Sequence, residues 1–533
     1  MKKILVPFAD THQFSPLVDE YLSGDPKLNS FYRFAPEPAS FHDALKQREN
    51  FKCNRQLLAN RLMSQYGEVL NDGSPGSVKV RDAIQLLNDQ KCFTVTTGHQ
   101  LNIFTGPLYS IYKIATTIKL AMELRQMHPS LSFVPVFWMA SEDHDFAEIN
   151  NTRIFGKPVS WERDAAGAVG RMDPSGMRDV VAGVREIMGS DARCMDIFEQ
   201  AYLNSTDLAV ATRKIIHALF SEHGLVVIDG DDAQLKREFV GEMRDDILNH
   251  TAFHAVESVS KKLGAIHKTL VQPREINVFY LSEGSRERIV KKEEGFYQVL
   301  NTQIKFSSEE LLENMEAHPE NFSPNVVLRP LYQEKILPNL AYIGGPGEVS
   351  YWLQFMGAFD AAEIPFPVLM LRNCLLLLDK NSAGKLEKLG IAVPEIFKSA
   401  DHLVLKVLEN SSDVHVGTDH VASLIQKGFH ELAEQWARLD PSLVPGVEAE
   451  HQKLLKGLTA LEEKARRALK RKNESVVTQV KNLKEKLFPG GGLQERTDNF
   501  LPYYCRNNNG FINEVIAHAN PFEKDFIVLV EEN

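Results

Sequence analysis

The stretch CFTVTTGHQLNIFTGPLYSIYKIATTIKLA, Cys92–Ala121, runs from a strand pattern through a polar loop into a helix pattern. Its first part, CFTVTT (92–97), is a continuous run of apolar and β-branched residues, which is typical of a buried parallel strand. Pro107 fits the first turn of a helix, and apolar residues from Leu108 to Met122 recur at helical spacing. A second apolar run, SFVPVFWMA (132–140), follows that helix. This order predicts a right-handed βαβ unit and an α/β fold with an open parallel sheet.

Other apolar runs extend the predicted sheet. They are HGLVVIDG (223–230), LAYIGG (340–345), FPVLMLRN (366–373) and KILVPF (3–8). Two segments interrupt the pattern: a polar, helical stretch at about 155–222, and a stretch at about 265–325 that contains an antiparallel meander. We therefore predict a core over residues 1–385 with two insertions.

The last third of the chain predicts a helical domain over residues 386–500. Between Val447 and Leu487, leucine and valine recur three and four positions apart, which indicates a coiled-coil-like helix of about forty residues. A helix over roughly 418–438 would pair with it across a proline-containing turn. The alternative is a long helix packed on its own domain. A tail over residues 501–533 is expected to return to the core.

Composition and charge exclude several classes of protein. The chain has 533 residues, and its formal charge of -11 provides no bulk basic field for nucleic acid. The five cysteines are widely spread without a CxxC pair, which argues against a zinc knuckle and against a disulfide framework. The first apolar run is shorter than a secretory signal requires, and no run reaches the length of a membrane span. We expect a cytoplasmic protein with neither nucleic acid nor membrane as a partner.

The loop between the first predicted parallel strand and its helix has the composition of a ligand site. It lies at the carboxyl end of a strand and beside a helix N-terminus, where open α/β sheets bind ligands and where the helix dipole favours anions. Gly98 and Gly106 allow a ligand to approach the backbone closely, while His99, Asn102 and Thr105 supply polar groups. The alternative is a tight turn that only caps the helix.

A dense polar group, SEDHDF, follows the second strand. Glu142, Asp143, His144 and Asp145 could bind an amine, act as a general base or hold a divalent ion. The metal interpretation is the weakest, because no second His or Cys stands at a ligand spacing. The alternative is a solvated acidic turn, which is less consistent with the abrupt change from an apolar strand.

A glycine-rich turn in the segment YIGGPGEVSYW follows another strand. Gly344, Gly345 and Gly347 match neither the dinucleotide fingerprint nor the P-loop, but they open the backbone at a strand end. Glu348 could bind a ribose or an amine. Tyr351 could stack on a ring, although aromatic residues at this spacing more often belong to the core.

Basic and amide side chains near other strand ends are further candidates. Arg329 precedes the glycine-rich turn, and Arg372 and Asn373 follow the strand over 366–373, so all three could meet a substrate carboxylate. Lys380 and Lys385 stand in a polar, small-residue segment, KNSAGK, that could contact phosphate groups. Solvated surface positions are the alternative for these lysines.

Five segments together carry a resemblance to a known family. TGHQLNIFTGPLYSIYK, PVFWMASEDHDFAEIN, RPLYQEKILPNLAYIGGPGEVSYW, VLMLRN and PGGGLQER resemble, in the same order, the bacillithiol biosynthesis cysteine-adding enzymes, the BshC family. The resemblance implies a Rossmann-like parallel-sheet core related to class I aminoacyl-tRNA synthetases, two connective-peptide insertions and a C-terminal coiled-coil domain that mediates a homodimer. It also implies a ligase that joins L-cysteine to glucosaminyl-malate in the last step of bacillithiol synthesis.

Activation of a carboxylate is the chemical requirement of such a ligase, because carboxylate oxygen is a poor leaving group. ATP with Mg²⁺ is the usual agent, although the sequence leaves open whether ATP is consumed, and zinc is not expected. In our hypothesis the loop Gly98–Pro107, the glycine-rich turn and Glu348 hold the nucleotide. Lys380 and Lys385 only weakly resemble the lysine-serine loop of the synthetases.

The acidic group and the arginines would hold the two substrates. Glu142, Asp143 and Asp145 would bind the cysteine ammonium or the sugar hydroxyls, and Arg329 or Arg372 would meet the malate carboxylates. His144 or Asp143 would take the proton from the attacking amine, and His99 is a further catalytic candidate. The alternatives are a nucleotidyl transferase on another small molecule and a non-catalytic scaffold that dimerises through the coiled coil.

Overall fold

A parallel sheet forms the centre of the first two-thirds of the chain in a computed structural model, which describes residues 1–189, 194–410, 417–507 and 509–532. Within these residues the sheet has five strands, and each pair of neighbours is parallel. In spatial order the strands are Val368–Leu371, Asn339–Gly344, Cys92–His99, Ser132–Met139 and Val226–Asp229. The prediction of an α/β fold with a parallel sheet is confirmed.

The strand order reverses beside the strand Cys92–His99. The next two strands along the chain lie on one side of it, and the last two lie on the other. Helix Leu108–Met127 crosses from Cys92–His99 to Ser132–Met139 and packs against both. A reversal of this kind leaves a crevice between Cys92–His99 and Asn339–Gly344 at their carboxyl ends, which is where α/β sheets bind ligands.

The predicted parallel strand KILVPF belongs to a different sheet, so that prediction is wrong. Strand Lys2–Pro7 pairs antiparallel with Asp525–Val530, which in turn pairs in parallel with Leu375–Leu378. Five of the six residues of Lys2–Pro7 are exposed or half-buried, and within the described residues its partner strand comes from the far end of the chain. No local pattern could have revealed that partner.

The two interrupting segments contain small secondary structures of their own. The first holds the strand Lys157–Ser160, paired with Asn151–Ile154, and three helices, Met177–Met188, Asp196–Leu203 and Leu208–Phe220. The second holds an antiparallel sheet with the strands Val278–Ser282, Ser285–Lys291, Tyr297–Val299, Lys305–Phe306 and Phe322–Pro324. We call this second sheet the inserted meander.

The long C-terminal helix is divided in two. Helix Val444–Lys472 ends before Asn473, where the backbone leaves the helical region (φ -123°, ψ 41°), and helix Glu474–Leu487 follows. The predicted single helix of about forty residues is therefore interrupted. Helix Asp419–Leu439 packs against Val444–Lys472 across the proline-containing turn Pro441–Leu443.

The remaining longer helices surround the sheets. They are Pro16–Ser23, Ser40–Glu49, Arg55–Tyr66, Pro75–Leu86, Val240–Asn249, Thr251–Gly264, Ser308–Ala317, Leu328–Ile336, Pro346–Trp352, Lys380–Lys388, Ala400–Asn410, Leu501–Asn507 and Asn509–His518. None of the helices in the described ranges is long and apolar enough to cross a membrane.

A disulfide joins the first insertion to the C-terminal part of the chain. Cys194 is bonded to Cys505 across 311 residues of sequence, with the two Cα atoms 5.2 Å apart. Cys53, Cys92 and Cys374 are free thiols. This single bond is not the disulfide framework that the cysteine spacing argued against, and the sequence could not reveal it, because spacing along the chain says nothing about distance in the fold.

Candidate active site

A cleft of about 840 Å³ opens at the carboxyl ends of the parallel strands, over the point where the strand order reverses. Gly98 and His99 border it from one central strand and Tyr342 from the other. Arg286 of the inserted meander borders it from the opposite side. The cleft is therefore a crevice of the sheet that the insertion helps to enclose.

The floor of the cleft is a buried ion pair. Lys113 on helix Leu108–Met127 donates a hydrogen bond to the Gly98 carbonyl and lies 2.6 Å from the Glu348 carboxylate. Glu348 also accepts from the Tyr342 hydroxyl at 2.7 Å and from the Gly345 N–H at 2.8 Å. Burial acts to raise the pKa of Glu348, but the Lys113 charge and these donors hold it below its ordinary value. Glu348 is thus an ionised structural partner at the edge of the cleft.

The loop after the first parallel strand contributes His99 to the cleft. Burial and the nearby Lys113 charge lower the pKa of His99 to about 3, so the imidazole is neutral at neutral pH. Its Nε2 atom, Asn102 Oδ1 and Thr105 Oγ1 are buried without a hydrogen-bond partner. All three residues border a second cavity of about 10 Å³, which matches the space that one water molecule needs.

The loop after strand Cys92–His99 turns away from the cleft over residues 102–106. Phe104 and Thr105 have positive φ angles of 50° and 63°, and Gly106 follows at 69°. The Asn499 side chain donates to the carbonyls of Phe104 and Gly106, and the Leu108 N–H donates to the Asp498 carbonyl at 2.8 Å. The C-terminal part of the chain therefore covers the helix N-terminus, and Asn102, Thr105 and Gly106 do not border the cleft.

Two carboxylates form an acidic wall that one amide holds together. Gln100 Nε2 donates to Asp143 at 2.8 Å and to Glu148 at 2.6 Å, and all three residues border the cleft. Burial acts to raise the pKa of Asp143, but hydrogen bonds from His144 and Gln100 and the Arg286 charge lower it below its ordinary range. Asp143 is therefore ionised at neutral pH.

Glu142 also borders the cleft, but it is already neutralised. Its carboxylate lies 2.7 Å from the ammonium of Lys236, which is 1% exposed and lies equally close to Asp231. Arg171 in turn forms a two-pronged pair with Asp231. A carboxylate held this way has less charge to offer a substrate than Asp143 or Glu148.

The other two members of the acidic group lie outside the cleft lining. His144 is exposed, and its Nδ1 atom lies 3.3 Å from the Arg286 guanidinium. Asp145 is exposed and caps the short helix Phe146–Ile149 through the Glu148 N–H. Of the polar residues predicted here, Glu142 and Asp143 are the pair that reaches the cleft.

Four arginines form a basic wall of the cleft. Arg274, Arg286, Arg288 and Arg329 border the cleft, and none has a carboxylate within 4.0 Å among the residues that the structure describes. The Arg286 guanidinium stacks 4.2 Å from the Phe279 ring centroid, and burial lowers its pKa. Unpaired guanidinium groups in a partly buried cleft are suited to bind carboxylates or phosphates.

The remaining predicted arginine and its neighbour have internal partners. Arg372 is buried and grips Glu495 with two hydrogen bonds of 2.7 and 2.9 Å. The Asn373 side chain donates to the Asn520 carbonyl and accepts from the Asn520 N–H, which fastens the tail of the chain. Neither residue borders the cleft.

Some of the residues predicted to bind the nucleotide border the cleft and others do not. Gly344, Gly345 and Gly347 form the strand end and the start of helix Pro346–Trp352 without bordering the cleft, whereas Glu348 and the predicted substrate residue Tyr351 do border it. Lys380 and Lys385 are exposed on helix Lys380–Lys388, beside the sheet that contains the tail strand. The KNSAGK segment is thus the first turns of a helix, capped by Asp379, rather than a loop.

Sequence reasoning missed several residues that border the cleft: Gln100, Lys113, Glu148, Arg274, Arg286 and Arg288. The sequence did offer a hint of Lys113, because it is the single charged residue in the first three turns of its helix. Arg286 and Arg288 alternate on one strand, which puts both on one face of the meander. Nothing in the sequence indicated that this face meets the parallel sheet.

A parallel sheet with strand order reversal, a charged crevice at the reversal and a long helical hairpin define a Rossmann-like α/β protein with a coiled-coil domain. Residues 1–373 match the family model for the bacillithiol biosynthesis BshC N-terminal Rossmann-like domain, and residues 375–531 match that for the C-terminal coiled-coil domain. The chain belongs to the BshC family of bacillithiol biosynthesis.

Relatives resemble the chain over nearly its whole length. A protein from Flavobacterium johnsoniae is 37% identical over 98% of this chain and 99% of its own, and one from Cytophaga hutchinsonii is 39% identical over 96% of each. Both carry the name "Putative cysteine ligase BshC". A solved Campylobacter jejuni structure, named "putative arginyl t-RNA synthetase", is 11% identical over 83% of this chain and 95% of that one. Its TM-score of 0.22 carries no argument, so the relation to class I synthetases stays a prediction.

Proposed function

We propose that the protein is a ligase that joins the carboxyl group of L-cysteine to the amine of glucosaminyl-malate, as the last step of bacillithiol synthesis. The name of its relatives supports cysteine as a substrate. The observation that carries the proposal is the cleft itself, which brings together the ionised Asp143, Glu148 and four arginines that have no carboxylate within 4.0 Å among the described residues. Both substrates carry an amino group and at least one carboxylate, and such a cleft can orient them.

The acidic wall is the proposed site for the amines. Asp143 and Glu148 are held side by side by Gln100, so two negative charges face one place. An ammonium group can donate to both carboxylates at once, which fixes its direction as well as its position. The interactions that keep Asp143 ionised also make it a weak base, so its proposed role is to bind and orient the amine rather than to remove its proton.

The basic wall is the proposed site for the carboxylates. Arg274, Arg286, Arg288 and Arg329 leave four positive charges without a carboxylate partner in the described part of the chain. The malate group has two carboxylates and can use this wall, in place of Arg372, which is occupied by Glu495. In the cleft, the four arginines outnumber the carboxylates Asp143 and Glu148. This excess of positive charge suits two substrates whose combined charge is negative.

We further propose that ATP activates the cysteine carboxylate. Attack of the carboxylate oxygen on the α-phosphorus would release pyrophosphate and form an acyl-adenylate. Attack of the glucosamine nitrogen on the acyl carbon would then release AMP, and the proton lost from nitrogen would pass to solvent. The neutral His99 and the Lys113 ammonium lie at the end of the strand where the phosphates would stand.

The test is a reconstitution with purified protein, L-cysteine and glucosaminyl-malate, with and without ATP and Mg²⁺, followed by mass spectrometry of thiol products. Coupled thiol formed only with ATP, together with AMP, supports the whole proposal. Coupled thiol formed without ATP contradicts the activation step alone. Pyrophosphate released without cysteine would instead favour a nucleotidyl transferase.

A matched pair of variants tests the acidic wall. Asp143→Asn is expected to lower product formation roughly ten- to a hundredfold, because it removes a charge-assisted hydrogen bond to the amine that contributes about 1.5–3 kcal/mol. Asp145→Asn is the control, because Asp145 lies outside the cleft lining and Asn retains its helix-capping role. Equal activity in the two variants would contradict the role given to Asp143.

We also propose that the chain forms a homodimer through its coiled-coil domain. Leu454 and Leu461 lie two turns apart on helix Val444–Lys472 and are 48% and 62% exposed, so one helix face presents unpaired apolar groups. Replacing both with aspartate is expected to yield monomers in light scattering, whereas Lys456→Gln on the same helix is expected to leave the mass unchanged. A monomeric unaltered protein would contradict the proposal.

A further inference from the structure

A chain of buried polar side chains runs from the cleft into the sheet beneath it. Arg329 Nη1 donates to Gln333 Oε1 at 3.0 Å, and Gln333 Nε2 donates to Glu334 Oε1 at 2.9 Å. Asn339 Nδ2 donates to the same Glu334 oxygen at 2.6 Å. Only the first member, Arg329, borders the cleft, so the others can affect a ligand only through it.

The burial of this network is expensive in free energy. Gln333 and Glu334 are 0% exposed and Asn339 is 1% exposed. Burying a carboxylate costs several kcal/mol unless charges and donors compensate it. Arg48 supplies a nearby positive charge and donates to the Glu334 carbonyl, and the hydroxyls of Thr94 and Thr96 complete the network at Asn339. An apolar core at the same place would be simpler to build, so a role beyond packing is needed to explain the network.

The direction of the Gln333 amide follows from its partner. An ionised carboxylate only accepts hydrogen bonds, so Glu334 selects the NH₂ group of Gln333 and turns its carbonyl oxygen towards Arg329. Arg329 and Gln333 are also four residues apart on helix Leu328–Ile336, which puts them on one face. The guanidinium is held further by the Tyr342 ring, 5.9 Å from its centroid.

We propose that Gln333 and Glu334 are positioning residues that hold the Arg329 guanidinium in place to bind a substrate carboxylate. The inference rests on the proposed function for the identity of the anion, but not for the geometry of the network. A long arginine side chain loses much conformational freedom when it binds a ligand, and a guanidinium already held in place loses less. The network therefore raises affinity for a carboxylate without touching it.

The first test is a double-mutant cycle on the binding of L-malate, measured by isothermal titration calorimetry. Arg329→Met and Gln333→Met are each expected to weaken binding about tenfold, while the double variant is expected to be no weaker than Arg329→Met alone. Lys335→Met is the control, because Lys335 lies on the same helix, pairs with Glu242 and does not border the cleft. Additive losses in the double variant would overturn the inference.

The second test uses crystal structures of the unaltered protein and of Gln333→Met without any ligand. The guanidinium of Arg329 is expected to be ordered beside Tyr342 in the former and to leave that position in the latter. An unmoved guanidinium in the variant would overturn the inference, even where malate binding falls. A displaced guanidinium in a protein that binds no malate would uphold the positioning role and contradict the proposed substrate.

Discussion

Arg288 illustrates how one side chain can contribute to binding without any partner in the free protein. It lies two positions from Arg286 on strand Ser285–Lys291, and both guanidinium groups reach the cleft. We expect Arg288→Met to raise the KM for glucosaminyl-malate roughly ten- to a hundredfold, because a charge-assisted hydrogen bond contributes about 1.5–3 kcal/mol. Steady-state kinetics with varied glucosaminyl-malate would measure the change.

Lys291 on the same strand provides the control for that experiment. It is exposed, does not border the cleft and lies against the Tyr297 ring. Lys291→Met is expected to leave the KM unchanged. An unchanged KM in Arg288→Met as well would remove Arg288 from the proposed carboxylate site.

The titration of Glu334 is expected to make the stability of the protein depend on pH. Burial raises the pKa of Glu334 from its ordinary value of 4.5 to about 6 in the folded protein. Between these two values the folded state binds the proton more tightly than the unfolded chain, so stability rises as the pH falls. From pH 7.5 to pH 5 the gain from this group is about 1 kcal/mol.

Glu334→Gln removes this titration, so its free energy of unfolding is expected to lack that gain. Urea unfolding of both proteins at pH 7.5 and pH 5 would measure the difference. Parallel pH dependence in the two proteins would show that Glu334 does not titrate in this range.

Single residues of the candidate site were predictable where they stand at the end of a predicted strand. Asp143 directly follows an apolar strand, and Gly98 and His99 end another, so sheet geometry alone predicted that they would meet. Arg372 also follows a strand, yet Glu495, which is 123 positions away, takes its charge. A residue's neighbours along the chain do not reveal whether a distant partner already occupies it.

The loop between strand Cys92–His99 and helix Leu108–Met127 depends on one glycine. Gly106 has φ +69°, and a Cβ atom there would stand 2.8 Å from the Asn102 Cβ atom. Gly106→Ala is therefore expected to lower the free energy of unfolding by about 1–3 kcal/mol, through backbone strain and the contact together. Chemical denaturation would measure the loss.

Gly183 is the matched glycine for this prediction. It lies inside helix Met177–Met188, and a Cβ atom there would meet nothing within 4 Å. Gly183→Ala is expected to stabilise the protein by roughly 0.5–1 kcal/mol, since alanine is the better helix former. Equal effects at the two positions would contradict the account of the loop.

Elements were predictable from sequence where their pattern was local. Continuous apolar runs identified the strands of the parallel sheet, and helical spacing identified helix Leu108–Met127. Strand Lys2–Pro7 was assigned to the wrong sheet, because its partner is set by tertiary pairing alone. The break at Asn473 was missed for a related reason, since leucine spacing continues across it and only the path of the backbone changes.

The C-terminal tail joins the N-terminal strand to the rest of the fold. Strand Asp525–Val530 lies between Lys2–Pro7 and Leu375–Leu378, and four of its six residues are buried. A chain truncated after residue 524 is expected to lose cooperative unfolding or to accumulate as aggregate, because two apolar strands then have exposed edges. A chain truncated after residue 530 keeps the strand and is expected to unfold like the full chain. Thermal unfolding followed by circular dichroism would compare the two, and matching transitions would contradict this role of the tail.

A ribosome makes strand Lys2–Pro7 first and strand Asp525–Val530 last. At about 5–20 residues per second, roughly half a minute to two minutes of synthesis separate them. All five strands of the parallel sheet lie before residue 372, so they can pair while the chain is still growing. The N-terminal strand cannot, and it stays an unpaired edge until residues 525–530 have been made. During that interval the unpaired edge of Lys2–Pro7 is exposed to pairing with other chains, and the exposure ends when strand Asp525–Val530 pairs with it.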